Sequence, residues 1–351
     1  MSSRTRPRAR RSRTKLALVI ALSLIALLVV TAVAGAFYLQ HRIDSRIERF
    51  DDPFASLGDD RPTTAPATEG TETHEPPVNI LFLGSDSRIS AGDPSQWEYG
   101  AQRTDAIMVA SISGDRESVT VMSLPRDSWV PIPSHGDNKL NAAFSFGGPS
   151  LMVGTIEQLT GIRIDHVAIS DFESFQELTD ELGGVEITLT QPLEAGGTTL
   201  EAGTHLLDGE QALAYTRQRY GLSGGDFSRM QRQQNWMRGM LAAAFNRDVL
   251  TDPVALTDLL TVAAENMAVD EGFGVSEMRD LALSMRDLRP GNVTFISAPV
   301  EGTGWSPDGT QSIVNLDHTA LEEVSQAFVE DRIAEYVEEH PDIVRLGASV
   351  E

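Results

Sequence analysis

Between residues 78 and 340, short apolar runs alternate with amphipathic stretches, and each predicts one element. Val78–Leu83 (VNILFL), Ala106–Ile112 (AIMVASI) and Ser118–Leu124 (SVTVMSL) have the length and composition of strands, the last two joined by the polar turn Ser113-Gly114-Asp115-Arg116. Pro131–Pro149 reads as a glycine- and proline-rich loop. Leu151–Leu159 then predicts a helix, Ile164–Ile169 a strand, and Asp171–Leu182 a helix capped by Asp171, with Phe172, Phe175, Leu178 and Leu182 on its inner face. Gly183-Gly184 ends that helix. Val185–Leu189 alternates as a half-buried strand, and a turn-rich segment leads from it to Asp208-Gly209-Glu210. Helical spacing recurs in Phe227–Phe245, Val254–Met267, Val275–Leu288 and Thr319–Glu338, with strands at Val293–Ala298 and Ser312–Leu316. Strands and helices alternating without a repeat predict one α/β domain of about 250 residues, with residues 341–351 as a tail.

The pattern changes before residue 78. Residues 16–39 (LALVIALSLIALLVVTAVAGAFYL) run without a charge, long enough as a helix to cross about 30 Å of hydrocarbon. Residues 1–15 hold Arg4, Arg6, Arg8, Arg10, Arg11, Arg13 and Lys15 and no acid, so the positive-inside rule places this basic tail in the cytoplasm and the rest of the chain outside. Cleavage as a signal peptide after Ala32-Val33-Ala34 is the alternative, although the apolar stretch is longer than signals use. Residues 40–50 could extend the helix, and Asp51–Pro77, rich in Pro, Thr, Asp and Glu, reads as a flexible tether.

The chain carries a net charge of −23, and −30 once the basic tail is set aside, which repels nucleic acid. It has no cysteine, hence no disulfide, thiolate metal site or cysteine nucleophile. Its histidines are scattered singly, without the HExxH spacing of a zinc hydrolase.

Against that acidity, Leu213–Gln234 (LAYTRQRYGLSGGDFSRMQRQQ) concentrates Arg217, Arg219, Arg229 and Arg232. In an extended segment Arg217 and Arg219 leave one face; with Asp226 as N-cap, Arg229 falls in the first turn of the following helix. Free N–H groups at a helix start and bidentate guanidinium forks together suit a pyrophosphate. Three predicted strand ends carry Asp86, Arg103 with Asp105, and Arg126 with Asp127. Asp86 and Asp105 would suit magnesium, a hard cation bound through a few carboxylates and the phosphates it neutralises. Either aspartate alone would serve equally as a turn former.

The ordered motifs NILFLGSDSR, RTDAIMVASI, VMSLPRDSW, NKLNAAFSFGGP, HVAISDFESFQELTDELGGVEITL, LDGEQALAYTRQR and GDFSRMQRQQ resemble those of the LytR-CpsA-Psr family of bacterial cell-wall glycopolymer ligases, from Val78 to Gln234. The resemblance implies a single extracytoplasmic αβα sandwich, its central sheet flanked by helices, anchored by one transmembrane helix. It implies a phosphotransferase that moves a glycan phosphate from a polyprenyl-pyrophosphate carrier to a peptidoglycan hydroxyl. Carried over, Asp86 and Asp105 hold Mg2+, Arg126 faces the pyrophosphate, and Arg217, Arg219, Arg229 and Gln233 complete the cradle, with Lys139 as a further member and Arg103 either positioning Asp105 or touching phosphate. Arg232 is read as a supporting residue, and Asp127 as a proton acceptor or a partner of a neighbouring arginine. The lipid needs an apolar cleft; Phe172, Phe175, Trp236, Met237 and Met240 are available, though each reads first as core. A hydrolase of the lipid-linked pyrophosphate and a non-catalytic wall-binding protein are the competing readings.

Overall fold

The computed structural model describes residues 48–58, 61–63, 75–85, 104–170, 172–195, 198–218, 226–246, 256, 259–263, 267–343 and 345–346. Strands are β1 (Glu48–Phe50), β2 (Val78–Ser85), β3 (Thr104–Ile112), β4 (Val119–Ser123), β5 (Trp129–Ile132), β6 (Gly136–Lys139), β7 (His166–Ser170), β8 (Val185–Leu189), β9 (Leu193–Ala195), β10 (Thr198–Leu200), β11 (Gly203–Leu207), β12 (Met267–Asp270), β13 (Val293–Ser297), β14 (Val300–Trp305) and β15 (Ser312–Leu316). Helices are α1 (Leu140–Thr160), α2 (Phe172–Glu181), α3 (Gly209–Arg217), α4 (Asp226–Asn246), α5 (Val275–Ser284), α6 (His318–Val329) and α7 (Ile333–Glu339).

Seven strands form a central mixed sheet in the order β1-β12-β7-β2-β3-β4-β13, with four two-stranded ribbons around it. The period-2 pattern of the central strands gives the sheet two apolar faces. Leu81, Leu83, Ile107, Val109 and Met122 belong to one core, shared with Phe144, Met152 and Ile156 of α1, Phe328 of α6 and Val337 of α7. Their sequence neighbours Phe82, Met108, Ala110 and Val121 point the other way, toward Met237 and Leu241 of α4. The expected α/β fold, a central sheet flanked by helices, is therefore present.

Several elements differ from the sequence reading. Pro131–Pro149 is not a loop: β5 and β6 pair as a hairpin around Gly136, and α1 starts at Leu140. The Gly147-Gly148-Pro149 run interrupts α1 with a kink, Gly148 taking φ 62° and ψ −154°, so the signal read as loop is a bend inside a helix. The segment after Val185–Leu189 supplies β9, β10 and β11. Met267 opens strand β12 instead of ending a helix, and the predicted helix over 319–338 breaks into α6 and α7 where Asp331 takes φ 54°. Leu213–Arg217 is the end of helix α3, capped by Asp208, and not an extended segment.

Residues 48–58 and 61–63 also depart from expectation. β1 pairs in parallel with β12, Phe50 is buried, and Phe54 and Leu57 pack on the core. Arg61 donates to Glu157 Oε1 at 2.6 Å and to the Ile164 carbonyl at 2.5 Å, while Arg163 reaches the Pro62 carbonyl at 3.1 Å. A segment too poor in apolar residues to fold alone is ordered by docking three of them on an existing core. Among the described residues no helix is long and apolar enough to cross a membrane; residues 16–39 lie outside them.

Candidate functional site

Asp105, at the start of β3, and Arg126, just past β4, are brought together because β3 and β4 are antiparallel neighbours. The turn carrying Arg126 is tied on both sides. Asn141 of α1 donates its N–H to the Arg126 carbonyl at 3.0 Å, and Val314 of β15 donates to the Asp127 carbonyl at 2.9 Å. The Arg126 guanidinium bonds Asp105 Oδ1, and Arg229 NH1, from the first turn of α4, stands 3.8 Å from the same oxygen. Asp127 accepts from Lys139 Nζ at 3.1 Å and lies 3.7 Å from Arg126 Nε. Gln233, one helical turn beyond Arg229, lines the same niche, which holds space of about 10 Å3, room for one water. Among the described residues three cations face two carboxylates, a net positive charge suited to an anion.

Beside this niche, sharing part of its wall, lies a far larger space. An apolar cavity of about 450 Å3 is lined by the Phe82–Met108–Ala110–Val121 face of the sheet and by residues of α2, α4 and α5, with Met237 and Leu241 of α4 packed on that face at its side. Asp105, Ala106, Met108 and Gln233 line both. Phe175, Trp236, Met237 and Met240 pack against buried core clusters, as the sequence predicts, and also line the cavity; the Phe172 side chain lies outside the described residues. Phe175 stacks on Trp236 with ring centres 3.8 Å apart, and Trp236 Nε1 donates to Thr179 Oγ1 at 3.0 Å, which holds that wall in place.

The LytR_cpsA_psr family profile matches residues 51–329. This chain belongs to the LytR-CpsA-Psr family. It is 32% identical to the polyisoprenyl-teichoic acid–peptidoglycan teichoic acid transferase TagU of Enterococcus faecalis, over 71% of this chain and 78% of that protein. It is 30% identical to the cell wall biosynthesis protein LcpA of Corynebacterium glutamicum over 68% of its own length, and spans about half, 53%, of that relative. Among solved structures, the LytR-Csp2A-Psr enzyme from Actinomyces oris is 26% identical, with a TM-score of 0.58 over 76% of this chain and 93% of the other.

In this LytR-CpsA-Psr protein the structure brings together Asp105, Arg126, Lys139, Arg229 and Gln233 of the residues read from sequence. Arg217 is exposed at the end of α3 and does not line the niche. Asp86, Arg103 and Arg219 lie outside the described residues. Asp86 directly follows Ser85, which pairs with Thr104, the neighbour of Asp105, beyond an irregularity at Gly84. A Cβ on Gly84 would come within 3.0 Å of the Ala106 Cβ, so a side chain there would crowd β3 beside the niche. Among the described residues no three His, Asp or Glu side chains cluster as a metal site. The contacts to Asp105 from Arg126 and Arg229 both fall on Oδ1.

Arg232 has the supporting role expected of it. Wholly buried, it donates from NH1 to the carbonyls of Tyr215 at 3.2 Å and Gln218 at 2.9 Å, satisfying the end of α3 and locking that helix to α4. Its guanidinium also stands 5.5 Å from the Tyr215 ring centre, and burial pushes the Tyr215 phenol up, so that hydroxyl stays neutral and accepts from Asn235 Nδ2 at 2.8 Å. Sequence reasoning missed Gln234, whose buried amide donates to Ser123 Oγ at 2.8 Å and the Ile296 carbonyl at 2.7 Å. It fixes α4, and with it Arg229, against β4 and β13. The only sequence signal for it was a polar residue at an inward position of a helix.

Proposed function

We propose that this protein is a membrane-anchored phosphotransferase that moves a glycan phosphate from a polyprenyl-pyrophosphate-linked donor to a peptidoglycan hydroxyl. One observation carries this reading: a cationic niche shares its wall with an apolar cavity of about 450 Å3, a size in the range that takes whole ligands. A lipid-linked pyrophosphate has the same two parts in the same order. The name of the Enterococcus relative, a polyisoprenyl-teichoic acid–peptidoglycan transferase, supports the same donor and acceptor classes.

In this reading Arg126 and Arg229 grip the pyrophosphate oxygens, and Gln233 donates from the cavity side. The acceptor hydroxyl attacks the sugar-linked phosphorus, the bridging P–O bond breaks, and polyprenyl phosphate leaves, taking up the hydroxyl proton on its own oxygens. Arg126 gains most at that moment, because charge shifts onto the oxygens it faces. Asp127 holds Lys139 and Arg126 in position, the structural alternative of its two sequence readings. Arg103, Arg217 and Arg219 extend the cradle when donor is bound. Asp86 and Asp105 would hold Mg2+, which would supply charge neutralisation on the phosphates. Residues 16–39 span the cell membrane with the basic tail in the cytoplasm and the catalytic domain outside.

The test uses the full-length chain in detergent with a polyprenyl-pyrophosphate glycan, peptidoglycan fragments and Mg2+. Arg126→Ala lowers transfer about 100- to 1,000-fold, and EDTA abolishes it until Mg2+ is restored. Undiminished transfer by Arg126→Ala sinks the site assignment. Glycan released to water at an unchanged rate with acceptor present identifies a hydrolase instead.

A further inference from the structure

Beside the niche, β14 and β15 form a ribbon with register pairs Thr303↔Val314 and Trp305↔Ser312. Those pairs share one face, because side chains two apart on a strand point the same way. At one end of that face Val314 is buried in the niche wall with Arg126, and its N–H holds the Asp127 carbonyl at 2.9 Å. At the other end Trp305 is 69% exposed, the most exposed large apolar side chain among the described residues. The two sit diagonally across the ribbon, about 7–8 Å apart.

The loop below Trp305 is closed. Ser306 N–H donates to the Gln311 carbonyl at 2.8 Å, Gln311 N–H to Ser306 Oγ at 3.0 Å, and Thr310 N–H to Asp308 Oδ1 at 3.1 Å. The indole is thus presented on a rigid support, which lowers the entropy lost on binding. Residues 300–317 contain Glu301, Asp308 and Asp317 and neither Lys nor Arg. Such a surface repels phosphate-rich chains and anionic lipid headgroups. It suits a sugar ring, whose C–H face packs on the electron-rich indole while its hydroxyls meet the Thr303, Ser312 and Gln311 edges.

We propose that Trp305 is the stacking platform of an acceptor subsite, holding a pyranose ring of the glycan strand whose hydroxyl is presented to the Arg126–Asp105 niche. The assignment to the acceptor rests on the phosphotransfer reading above. The full-length chain in detergent is titrated calorimetrically with a soluble peptidoglycan glycan fragment, and transfer is measured against acceptor and donor concentration. Trp305→Ala weakens fragment binding and raises the acceptor KM about tenfold with the donor KM unchanged, and Trp305→Phe restores most of both. Unchanged fragment binding and acceptor KM in Trp305→Ala overturn the subsite. In phosphatidylglycerol vesicles with brominated acyl chains, wild type and Trp305→Phe lose the same fluorescence; quenching that disappears in the variant marks a membrane wedge and also overturns it. Binding that depends on Trp305 without any transfer by the wild type keeps the glycan subsite and removes the phosphotransfer reading.

Discussion

On one face of the central sheet Leu81, Ile107, Val109 and Met122 meet Met152, Ile156 and Phe328, all no more than 1% exposed. On the other face Phe82, Met108, Ala110 and Val121 pack against Met237 and Leu241 and, together with Met240, line a cavity of about 450 Å3. Interiors normally pack as densely as organic crystals, and a void forfeits the dispersion contacts its lining could have made. The packed face stabilises the fold; the hollow face gives up some of that stability to keep room. Its lining fits this division, since alanines leave space and methionines adapt to an occupant.

The two faces are expected to respond differently to mutation. The largest effect is expected on the packed face: Phe328→Ala leaves a cavity where Phe328 is fully buried and lowers stability by about 3–5 kcal/mol, read by urea unfolding. A paired enlargement sharpens the contrast. Ala143→Phe, in the packed core, forces neighbours apart and costs about 1–3 kcal/mol, whereas Ala110→Phe, beside the cavity, leaves the unfolding midpoint nearly unchanged and reduces transfer through lost donor affinity. Equal destabilisation by the two would mean that the hollow face is packed in solution.

The smallest effect concerns a residue at the start of β7. Burial raises the Asp165 carboxyl above its ordinary value of 3.8, against the opposing N–H of Asn79, which donates to it at 2.9 Å. A carboxyl whose folded-state value is raised adds stability while both states are protonated, below the unfolded value, and loses it as pH rises through the folded value. Asp165→Asn, which keeps an acceptor for Asn79, therefore gains in melting temperature relative to wild type on going from pH 3 to pH 7. A constant difference across that range would rule out the burial effect.

Strands were legible where an apolar run had strand length: Val78–Leu83, Ala106–Ile112 and Ser118–Leu124 all lie within or beside observed strands. Gly147-Gly148-Pro149 misled because the same residues that break a helix also bend one, and only the packing of Leu140, Ala143 and Phe144 decides between them. In the site, Arg126, Asp105 and Arg229 stood out as charges at strand ends and a helix start, but each position alone has structural uses, and the ordered family motifs were what joined them into one site. The cavity was illegible for a different reason. Phe175, Trp236, Met237 and Met240 fall at positions facing the interior, and periodicity tells which way a side chain points, not whether anything fills the space it faces.

The ends of the sheet offer a separate consequence, for self-association. Among the described residues its outermost strand on one side is Glu48–Phe50, three residues long, and on the other β13 is flanked by the Ile296–Arg345 bridge and the Leu346 N–H bond to the Phe295 carbonyl at 3.0 Å. A short rim and a covered rim present little template for a strand of another molecule. A chain shortened to begin at Val78 would strip β1 from Met267–Asp270 and turn a buried strand, with Val269 wholly inside, into an open edge for polymerisation.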